Sequence, residues 1–224
     1  MANGELLAFT DPDAYAHANW LERLVEANQG GLRVSVGAVA CFGRRWLDRG
    51  AHLCKFYKWL PMEQPNRLRE GPTVNLLLSR ELLQRAGGRF QSELHGDTDV
   101  CWRLGRMGVE TWSVPNAIVE HHHLHTWRSL LVERFGRGAG YAALQLAWRP
   151  TGGPALLFRL VVTLLPLRLA TQLWRVGRNA ERARMLRTYL LTLPVIATGL
   201  YSALLGEAQA LRRHLLRSAE LPSG

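Results

Sequence analysis

Cysteine is scarce in this 224-residue sequence and follows no recognisable pattern. Cys41, Cys54 and Cys101 are odd in number, lie far apart, and form no CxxC or Cys/His ligand spacing. These absences exclude a disulfide framework and indicate a reducing compartment. The first residues lack a basic segment followed by a long apolar one, so we expect no secretory signal there. Repeats and low-complexity tracts are missing too, and 47% hydrophobic residues allow a sizeable core.

Lysine and aspartate are both absent from residues 151–224, which hold ten arginines against three glutamates. Residues 1–150 hold 18 Lys and Arg against 15 Asp and Glu, so most of the net charge of +10 belongs to the tail. This asymmetry predicts an anionic partner for the tail, either phospholipid or nucleic acid. The arginines lie beside long apolar stretches and without an RNP-like or helix-turn-helix pattern, which favours the membrane over nucleic acid.

The rest of the chain alternates predicted strands with predicted helices. Apolar runs predict strands over residues 5–9, 32–41, 74–78, 109–114 and 117–120. Helical patterns cover residues 44–60, 79–86, 97–107 and 127–146, the last interrupted by three glycines. Asn19 and Glu22 form the capping-box pattern of a further helix that ends at Gly30. Residues 5–9 lack clean alternation, as expected of a buried parallel strand. This order predicts an α/β fold with a mostly parallel or mixed sheet.

The segment PTGGP at residues 150–154 predicts a boundary between a domain of residues 1–149 and a hydrophobic helical tail of residues 150–224. In the first apolar stretch of the tail, residues 155–176, two arginines favour a position in the membrane interface. The second stretch, residues 188–206, is uncharged and long enough to cross a bilayer as a transmembrane helix. The alternative is a pair of helices packed back on the domain, and the number of spans stays open.

Two aspartates follow the first predicted strand. Ligands of open α/β sheets bind beyond the carboxyl ends of strands, which is where Asp11 and Asp13 fall. Carboxylates one residue apart can offer oxygen ligands to Mg²⁺ or Mn²⁺, which neutralises a diphosphate. Asp-Pro-Asp is also typical of a solvated turn, and the pair taken alone favours that interpretation.

Two further polar groups lie downstream. Asp97 and Asp99 open a predicted helix, where acids serve as caps and are favoured by the helix dipole. A carboxylate kept ionised there also suits a general base. His121, His123 and His125 share one face if their segment is extended. The tract could bind metal or lie on the surface. Because it lacks cysteines and HExxH spacing, we expect no dedicated zinc site. One histidine can still join a metal that is held by other residues.

The order and spacing of these groups resemble a known family. GELLAFTDPDAYAHANWLERLV (residues 4–25) is similar to the strand, DxD turn and helix of family 2 inverting glycosyltransferases with the GT-A fold. GPTVNLLLSRELLQRAGGRF (residues 71–90) resembles that family's segment ending in a GGF turn, with an arginine inserted. GDTDVCWRLGRMGVETWSVPNAIVEHHH (residues 96–123) resembles its EDxDLCxRL block. The resemblance covers about residues 2–145.

The resemblance implies a metal-dependent enzyme that transfers a sugar, with inversion, from a nucleotide-sugar donor to a cell-envelope saccharide or lipid-linked acceptor. Asp13 matches the metal-binding acid and Asp11 the acid nearer the nucleotide ribose, so both are expected at the divalent metal (Mg²⁺ or Mn²⁺) and the donor. Asp97 matches the base that deprotonates the acceptor, and His121 a histidine that completes the metal's coordination. Together with the tail, this predicts a membrane-associated protein whose catalytic part is cytoplasmic.

Some expectations from the resemblance leave activity open. Arg134 and Arg137 either reach the diphosphate or lie on a helix surface, and Gly96 replaces the glutamate that usually precedes the base. The βαβ half that binds the nucleotide precedes the DxD strand in the family. We therefore expect an incomplete GT-A fold in which residues 5–9 form an exposed edge, either a fragment or a partner of a separate N-terminal half. The alternatives are a non-catalytic remnant and a basic nucleic-acid-binding protein.

Overall fold

The computed structural model describes residues 3–90, 94–122 and 125–220. In this part of the chain a six-stranded sheet is packed between helices, which makes the architecture mixed α/β. The strands are β1 (Leu6–Thr10), β2 (Ala14–Ala16), β3 (Val34–Cys41), β4 (Arg67–Leu68), β5 (Asn75–Ser79) and β6 (Thr111–His121). The helices are α1 (Trp20–Gln29), α2 (Trp46–Phe56), α3 (Arg80–Arg85), α4 (Gly96–Arg106), α5 (Trp127–Trp148), α6 (Gly153–Leu164), α7 (Pro166–Arg182), α8 (Leu186–Leu191) and α9 (Leu193–Glu220).

The sheet is mixed, which is one of the two predicted forms. Its strand order is β1-β5-β3-β6-β2, and β4 pairs with β6 outside this path. Strands β3 and β6 are parallel, and the other pairs are antiparallel. The prediction of a buried parallel strand at residues 5–9 is wrong, because β1 pairs antiparallel with β5 and keeps its side chains partly exposed. Strand β1 lies at the edge of the described sheet, as expected.

The apolar core covers both faces of the sheet, as strand β5 illustrates. Leu76 and Leu78 pack with residues of α3 and α4 on one face. Leu77, between them, packs with Leu24 of α1 on the other face. Successive side chains of a strand alternate between faces, so a strand covered on both sides must be apolar throughout. This explains the continuous apolar run from which the strand was predicted.

Strand β6 is continuous where the sequence predicted two strands. Its pairing with β3 shifts register between Gly37 and Ala38, which leaves a bulge that contains Pro115. Proline has no N–H for a sheet hydrogen bond and is tolerated at a bulge. The Asn75 side chain closes the gap by donating to the carbonyls of Ala38 and Ala117 at 2.8 and 2.9 Å. The bulge keeps β6 in the sheet up to its end at the candidate site.

The side chain before α3 caps its helix, whereas the predicted cap of α1 is not formed. Ser79 caps α3 by accepting a hydrogen bond from the Leu82 N–H at 3.1 Å. Asn19 precedes α1 but makes no side-chain cap hydrogen bond, so the predicted capping box is wrong. Helix α1 is instead anchored by Trp20, whose indole N–H donates to Asn75 Oδ1 at 2.7 Å. A tertiary contact has replaced the local one.

Helices α5 to α9 pack together and onto α2. Helix α9 lies along α5 and also contacts α2, α6 and α7. The predicted interruption of α5 by its glycines is wrong, because α5 runs unbroken for 22 residues from a capping box formed by Thr126 and Ser129. The predicted tail is therefore in contact with the residues that precede it.

No helix in the described ranges is by itself long and apolar enough to cross a membrane; α6 and α7, bent by 65° at their junction, meet that requirement only as a pair. The uncharged stretch 188–206 is divided between α8 and α9. Its buried side chains pack against neighbouring helices, and they include Val195, Ile196, Leu200 and Leu204. Helices α6 and α7 instead expose large apolar side chains at Leu157, Phe158, Val161, Leu164, Leu165, Leu167 and Trp174.

Candidate active site

Strand β2 brings the end of β1 to the end of β6. Asp11 and Asp13 follow β1 directly, and Ala14 pairs with His121, the last residue of β6. The N–H of Ala14 donates to the Asp11 carbonyl at 3.1 Å, and the N–H of His122 donates to the Asp13 carbonyl at 2.8 Å. The Asp-Pro-Asp segment is therefore a turn, as its composition suggests, and it closes against a histidine.

This turn places three groups that can bind a metal side by side. His121 Nε2 lies 3.6 Å from Asp13 Oδ1 and 4.0 Å from Asp11 Oδ2, and one ligand atom from each residue lies within 4.8 Å of the others. An octahedral ion with ligands at about 2.1 Å separates its ligand atoms by about 3–4.2 Å. Small shifts would therefore let these residues hold an ion, and carboxylates suit Mg²⁺ and Mn²⁺. We call this group the Asp11–Asp13–His121 cluster.

The charges around Asp11 favour a cation. Burial and the nearby charge of Asp13 raise the pKa of Asp11 above its ordinary value, and Asp97 adds to this effect. Lys55 and Arg137 act in the opposite direction. Carboxylates that repel one another are stabilised in their ionised form by a cation between them. The cluster therefore has the electrostatics, as well as the spacing, of a cation site.

Asp97, the predicted base, lies close to this cluster. It is in the first turn of α4 and accepts hydrogen bonds from the backbone N–H groups of Thr98 at 2.7 Å and Thr73 at 3.3 Å. Asp97 and Asp11 line the same cavity of about 200 Å³, which we call the Asp97 cavity. Asp11 belongs to both the cluster and the cavity. The structure thus brings the four predicted residues into one region: Asp11, Asp13, Asp97 and His121.

Four cations line the Asp97 cavity: Lys55, Lys58, Arg134 and Arg137. Glu133 holds two of them, with its Oε1 at 3.1 Å from Lys55 Nζ and 3.7 Å from Arg137 Nε. Burial alone would raise the pKa of Glu133, but the hydrogen bond from His125 and the two positive charges bring it well below its ordinary value. Glu133 therefore stays ionised. Arg134 and Arg137, which were expected either at the diphosphate or on a helix surface, both line this cavity.

Asp99 has a structural role, but through contacts with other side chains and not as the helix cap that its position suggested. Its buried carboxylate accepts a hydrogen bond from the Trp148 indole at 2.7 Å and pairs with Arg103 at 2.9 Å. These contacts join α4 to the last turn of α5. Asp99 is therefore fully engaged by neighbours within the fold.

Gly96 stands where the family that the sequence resembles has a glutamate, and its surroundings leave no room for a side chain. A Cβ at Gly96 would lie 2.8 Å from the Cβ of Phe90, so a side chain there requires the backbone to move. His95, just before it, is buried with Nε2 at 2.9 Å from the Arg137 carbonyl. Burial lowers the pKa of His95, which keeps the ring neutral near pH 7. Packing around Phe90 thus leaves Asp97 without a preceding carboxylate.

The histidine tract is divided among different neighbours. Strand β6 ends at His121, which faces the two aspartates. His122 stacks against two aromatic rings, and buried His125 lies with Nε2 at 3.6 Å from Glu133. His121 and His125 therefore have different partners, and His123 lies outside the described residues. Of the described tract members, His121 alone joins the metal-ligand cluster.

The sequence did not point to Lys55, Glu133 or Tyr141, all of which belong to the surroundings of the Asp97 cavity. Lys55 comes from α2, and the other two come from α5. One signal was present: Lys55 and Lys58 are the only lysines of the whole chain, and both lie in the aromatic segment CKFYKWL. Lysines are rarely buried unless they are paired, so a lysine within an apolar segment can indicate a buried site that contains charged groups.

Part of the chain is similar to a protein of known biosynthetic context. The succinoglycan biosynthesis protein ExoM of Rhizobium meliloti (strain 1021) is 35% identical over 98 residues. The match covers 42% of this chain and 30% of ExoM, so less than a third of that relative is spanned. No protein-family model matches the chain. The similarity relates this part of the chain to a protein that works in glycan synthesis.

Proposed function

We propose that this chain is part of a GT-A, family 2 glycosyltransferase that moves a sugar from a nucleotide-sugar donor to a saccharide or lipid-linked acceptor of a cell-envelope glycan. The observation that carries the proposal is the position of Asp11, which belongs both to the Asp11–Asp13–His121 cluster and to the Asp97 cavity. Transfer of a sugar from a diphosphate needs a cation for the leaving group and a base for the acceptor, and Asp11 lies between residues that could serve as each. The similarity to ExoM supports glycan synthesis as the setting.

Two sets of residues would hold the donor. The Asp11–Asp13–His121 cluster would bind Mg²⁺ or Mn²⁺, which neutralises the diphosphate as it leaves. Lys55 and Arg137 add positive charge on the cavity side of Asp11. Fixed positive groups at the position of the leaving group stabilise the transition state because they need no reorganisation.

Asp97 would act as the base. It takes the proton of the acceptor hydroxyl while that oxygen attacks the anomeric carbon on the face opposite the diphosphate. The new bond joins the acceptor oxygen to the anomeric carbon, the bond from that carbon to the diphosphate oxygen breaks, and the nucleoside diphosphate departs. Attack on the opposite face inverts the configuration. The N–H groups of Thr73 and Thr98 donate to the carboxylate and orient it.

The nucleotide itself would be held by a βαβ half, in the same polypeptide or a separate one. In the described sheet β1 is paired on one side only, with β5. The free edge of a strand offers N–H and C=O groups to a further strand. We therefore propose that the nucleotide-binding half joins the sheet at β1, beside Asp11.

We also propose that α6 and α7 attach the protein to an anionic membrane surface. The exposed apolar side chains of these helices, Phe158 and Leu167 among them, would enter the interface. Exposed arginines lie on α7 at Arg175, Arg178 and Arg182, and Arg187 follows in α8. Arginines near a lipid surface are attracted to anionic headgroups, and this charge complementarity favours a membrane as the occupant. The catalytic part would then face the cytoplasm.

The metal site gives the first test. Titration calorimetry of the whole chain with Mn²⁺ is expected to show one site, which Asp13→Asn weakens by at least about tenfold. The control is Glu26→Gln, which removes an exposed carboxylate of α1 and should leave the affinity unchanged. Equal Mn²⁺ binding by the wild type and Asp13→Asn would contradict the assigned ligands.

Donor binding gives the second test. With Mn²⁺ present, a panel of uridine, guanosine and thymidine diphosphate sugars is expected to include one that binds and is turned over with an envelope extract as the acceptor. The Asp13→Asn variant should abolish both signals. A chain that binds Mn²⁺ but no donor, even when supplied with an N-terminal half, would be the non-catalytic remnant.

A further inference from the structure

A second and larger cavity, of about 710 Å³, opens beside the C-terminal half of α4. It lies between β4, the start of β6, the last turn of α5 and the middle of α6. We call it the arginine cleft after the five arginines that line it, Arg67, Arg69, Arg106, Arg149 and Arg159. Its volume is in the range of sites that bind small molecules. The reaction proposed above uses none of these arginines.

The positive charge of the cleft is only partly neutralised. Arg67 pairs with Glu110 at 3.1 Å, and Arg159 pairs with Glu207 at 3.4 Å. Across the residues that the structure describes, no carboxylate pairs with the other three, which are Arg69, Arg106 and Arg149. All three are solvent-exposed, so an anion can reach them. A concave site with unneutralised guanidinium groups attracts anions.

Two tryptophans form the apolar part of the cleft. The rings of Trp102 and Trp148 lie 5.5 Å apart and nearly perpendicular, at 88°. The guanidinium of Arg106 lies 4.1 Å from the Trp148 ring centroid, and that of Arg69 lies 5.1 Å from the Trp102 centroid. Stacking on an aromatic ring restricts a guanidinium without occupying its N–H donors. Arg69 and Arg106 are therefore oriented and still free to bind an anion.

The tryptophans are held in different ways. The Trp148 indole donates to Asp99, which is itself paired with Arg103, so this ring is fixed. The Trp102 indole Nε1 is buried and has no hydrogen-bond partner in the described part of the chain. The Trp102 ring is therefore positioned by its contacts with the rings of Tyr141 and Trp148 and not by a hydrogen bond.

We propose that the arginine cleft binds an acidic saccharide, with a sugar ring against the tryptophans and its carboxylate or phosphate group between Arg69, Arg106 and Arg149. Aromatic rings pack against the apolar faces of a ligand ring, and guanidinium groups bind carboxylate and phosphate through paired N–H donors. The proposal deepens the glycosyltransferase proposal, on which it rests, because the acidic saccharide would be the part of the acceptor already built. It assigns specificity to residues away from the reacting hydroxyl.

Residues of α4 line both this cleft and the Asp97 cavity. Helix α4 carries Asp97 in its first turn and Arg106 at its end, about 13 Å apart along the axis at 1.5 Å per residue. Trp102, between them on α4, contacts Tyr141 edge-on with ring centroids 5.9 Å apart. Tyr141 lines the Asp97 cavity. In the proposed arrangement an extended acceptor has its end at Asp97 and reaches past Tyr141 and Trp102 into the cleft.

The test is titration of the whole chain with trigalacturonate, which carries carboxylates on pyranose rings. The fully methyl-esterified trisaccharide is the uncharged match, and glucose 1-phosphate is the phosphate-bearing probe. Arg106→Ala is expected to weaken trigalacturonate binding by about tenfold, because one charge-assisted bidentate contact is lost. The control Arg33→Ala removes the same charge from an exposed residue outside the cleft and should change the affinity by less than about twofold.

The outcomes separate clearly. The proposal is supported if trigalacturonate binds, its methyl ester does not, and only Arg106→Ala of the two variants lowers the affinity. Comparison with glucose 1-phosphate shows whether the cleft prefers a carboxylate or a phosphate. The proposal would be overturned if the acid and its ester bind equally, or if Arg106→Ala and Arg33→Ala weaken binding equally. It would also be overturned if uridine diphosphate or a thymidine octanucleotide binds more tightly than trigalacturonate and does so through Arg106. Asp13→Asn should leave saccharide binding unchanged, so a failure at the metal site is distinguishable from a failure at the cleft.

Discussion

Gly138 of α5 faces the backbone carbonyl of Ala203 in α9 so closely that a Cβ at residue 138 would overlap the carbonyl oxygen. The contact is reciprocal, because a Cβ at Gly206 of α9 would overlap the carbonyl oxygen of Phe135 in α5. The two helices therefore touch through their backbones. This contact fixes the position of α5, the helix that brings Arg134 and Arg137 to the Asp97 cavity.

Substitution at this contact should destabilise the protein. Gly138→Ala is expected to lower the free energy of unfolding by about 3 kcal/mol, since the helices must separate to admit the methyl group. Gly136 of the same helix has open space where its Cβ would be, so Gly136→Ala should stabilise α5 by up to about 1 kcal/mol. Urea unfolding followed by circular dichroism measures both. A Gly138→Ala variant as stable as Gly136→Ala would show that the helices are not in contact here.

Mutation should separate the role of Asp97 in sugar transfer from cation binding by the Asp11–Asp13–His121 cluster. Asp97→Asn is expected to lower sugar transfer at least about a hundredfold, because an amide does not accept the acceptor's proton. Its Mn²⁺ affinity should be close to that of the wild type, since Asp97 lies outside the group of ligand atoms. The asparagine Oδ1 can keep the hydrogen bond from the Thr98 N–H, so folding should be preserved. Transfer at the wild-type rate by Asp97→Asn would remove Asp97 from the role of base.

The buried carboxylate of Asp48 should make stability depend on acid pH. It accepts hydrogen bonds from Arg45 at 2.6 and 2.8 Å and from the His125 N–H at 2.8 Å. The Arg45 contact holds the pKa of Asp48 below its ordinary 3.8, although burial acts the other way. A folded-state pKa below the unfolded one gives stabilisation that is present above pH 3.8 and is lost as the pH falls towards the folded value.

The variant Asp48→Asn tests this dependence. It is expected to lower the free energy of unfolding at pH 7 by about 2 kcal/mol, with a difference from the wild type that shrinks below pH 3.8. Urea titrations at several pH values measure the difference. Glu22→Gln, in the exposed first turn of α1, is the control and should give no such trend. A difference for Asp48→Asn that stays constant with pH would contradict the assigned ion pair.

The membrane surface can be tested by flotation with lipid vesicles. The wild-type chain should float with phosphatidylglycerol vesicles and much less with phosphatidylcholine, because arginine attraction adds to apolar burial. Phe158→Asp with Leu167→Asp should abolish flotation, since both side chains are 70% exposed on the proposed face. Val132→Asp in α5 changes a residue that is 67% exposed elsewhere and should float normally. Flotation by the double variant would contradict attachment through α6 and α7.

Elements with a strong local signal were predictable from the sequence. Strand β5 is covered on both faces and is apolar throughout, and α3 begins at a serine that caps it. The failures have long-range causes. The glycines of α5 look like helix breakers until α9 is packed against them, and Pro115 looks like a strand end until Asn75 closes the bulge. Those partners lie tens of residues away and leave no local trace.

In the candidate site, too, some residues were predictable from local sequence patterns and others depend on long-range packing. Asp11, Asp13, Asp97 and His121 all lie at ends of strands or at the start of a helix, positions that local patterns locate well. Lys55 and Glu133 come from the packing of α2 beside α5, which no local pattern describes. The arginine cleft draws on β4, α4, α5 and α6 together, so its charge is visible only once the chain is folded.

The rigidity of α4 has a consequence for acceptor choice. Because Asp97 and Arg106 belong to one helix, their separation of about 13 Å along its axis is set by helix geometry and does not adjust to the ligand. Nine residues make about two and a half turns, so the two side chains leave opposite sides of α4. If the proposed acceptor occupies both the arginine cleft and the Asp97 cavity, it must be long enough to pass around the helix, and a single sugar would be too short.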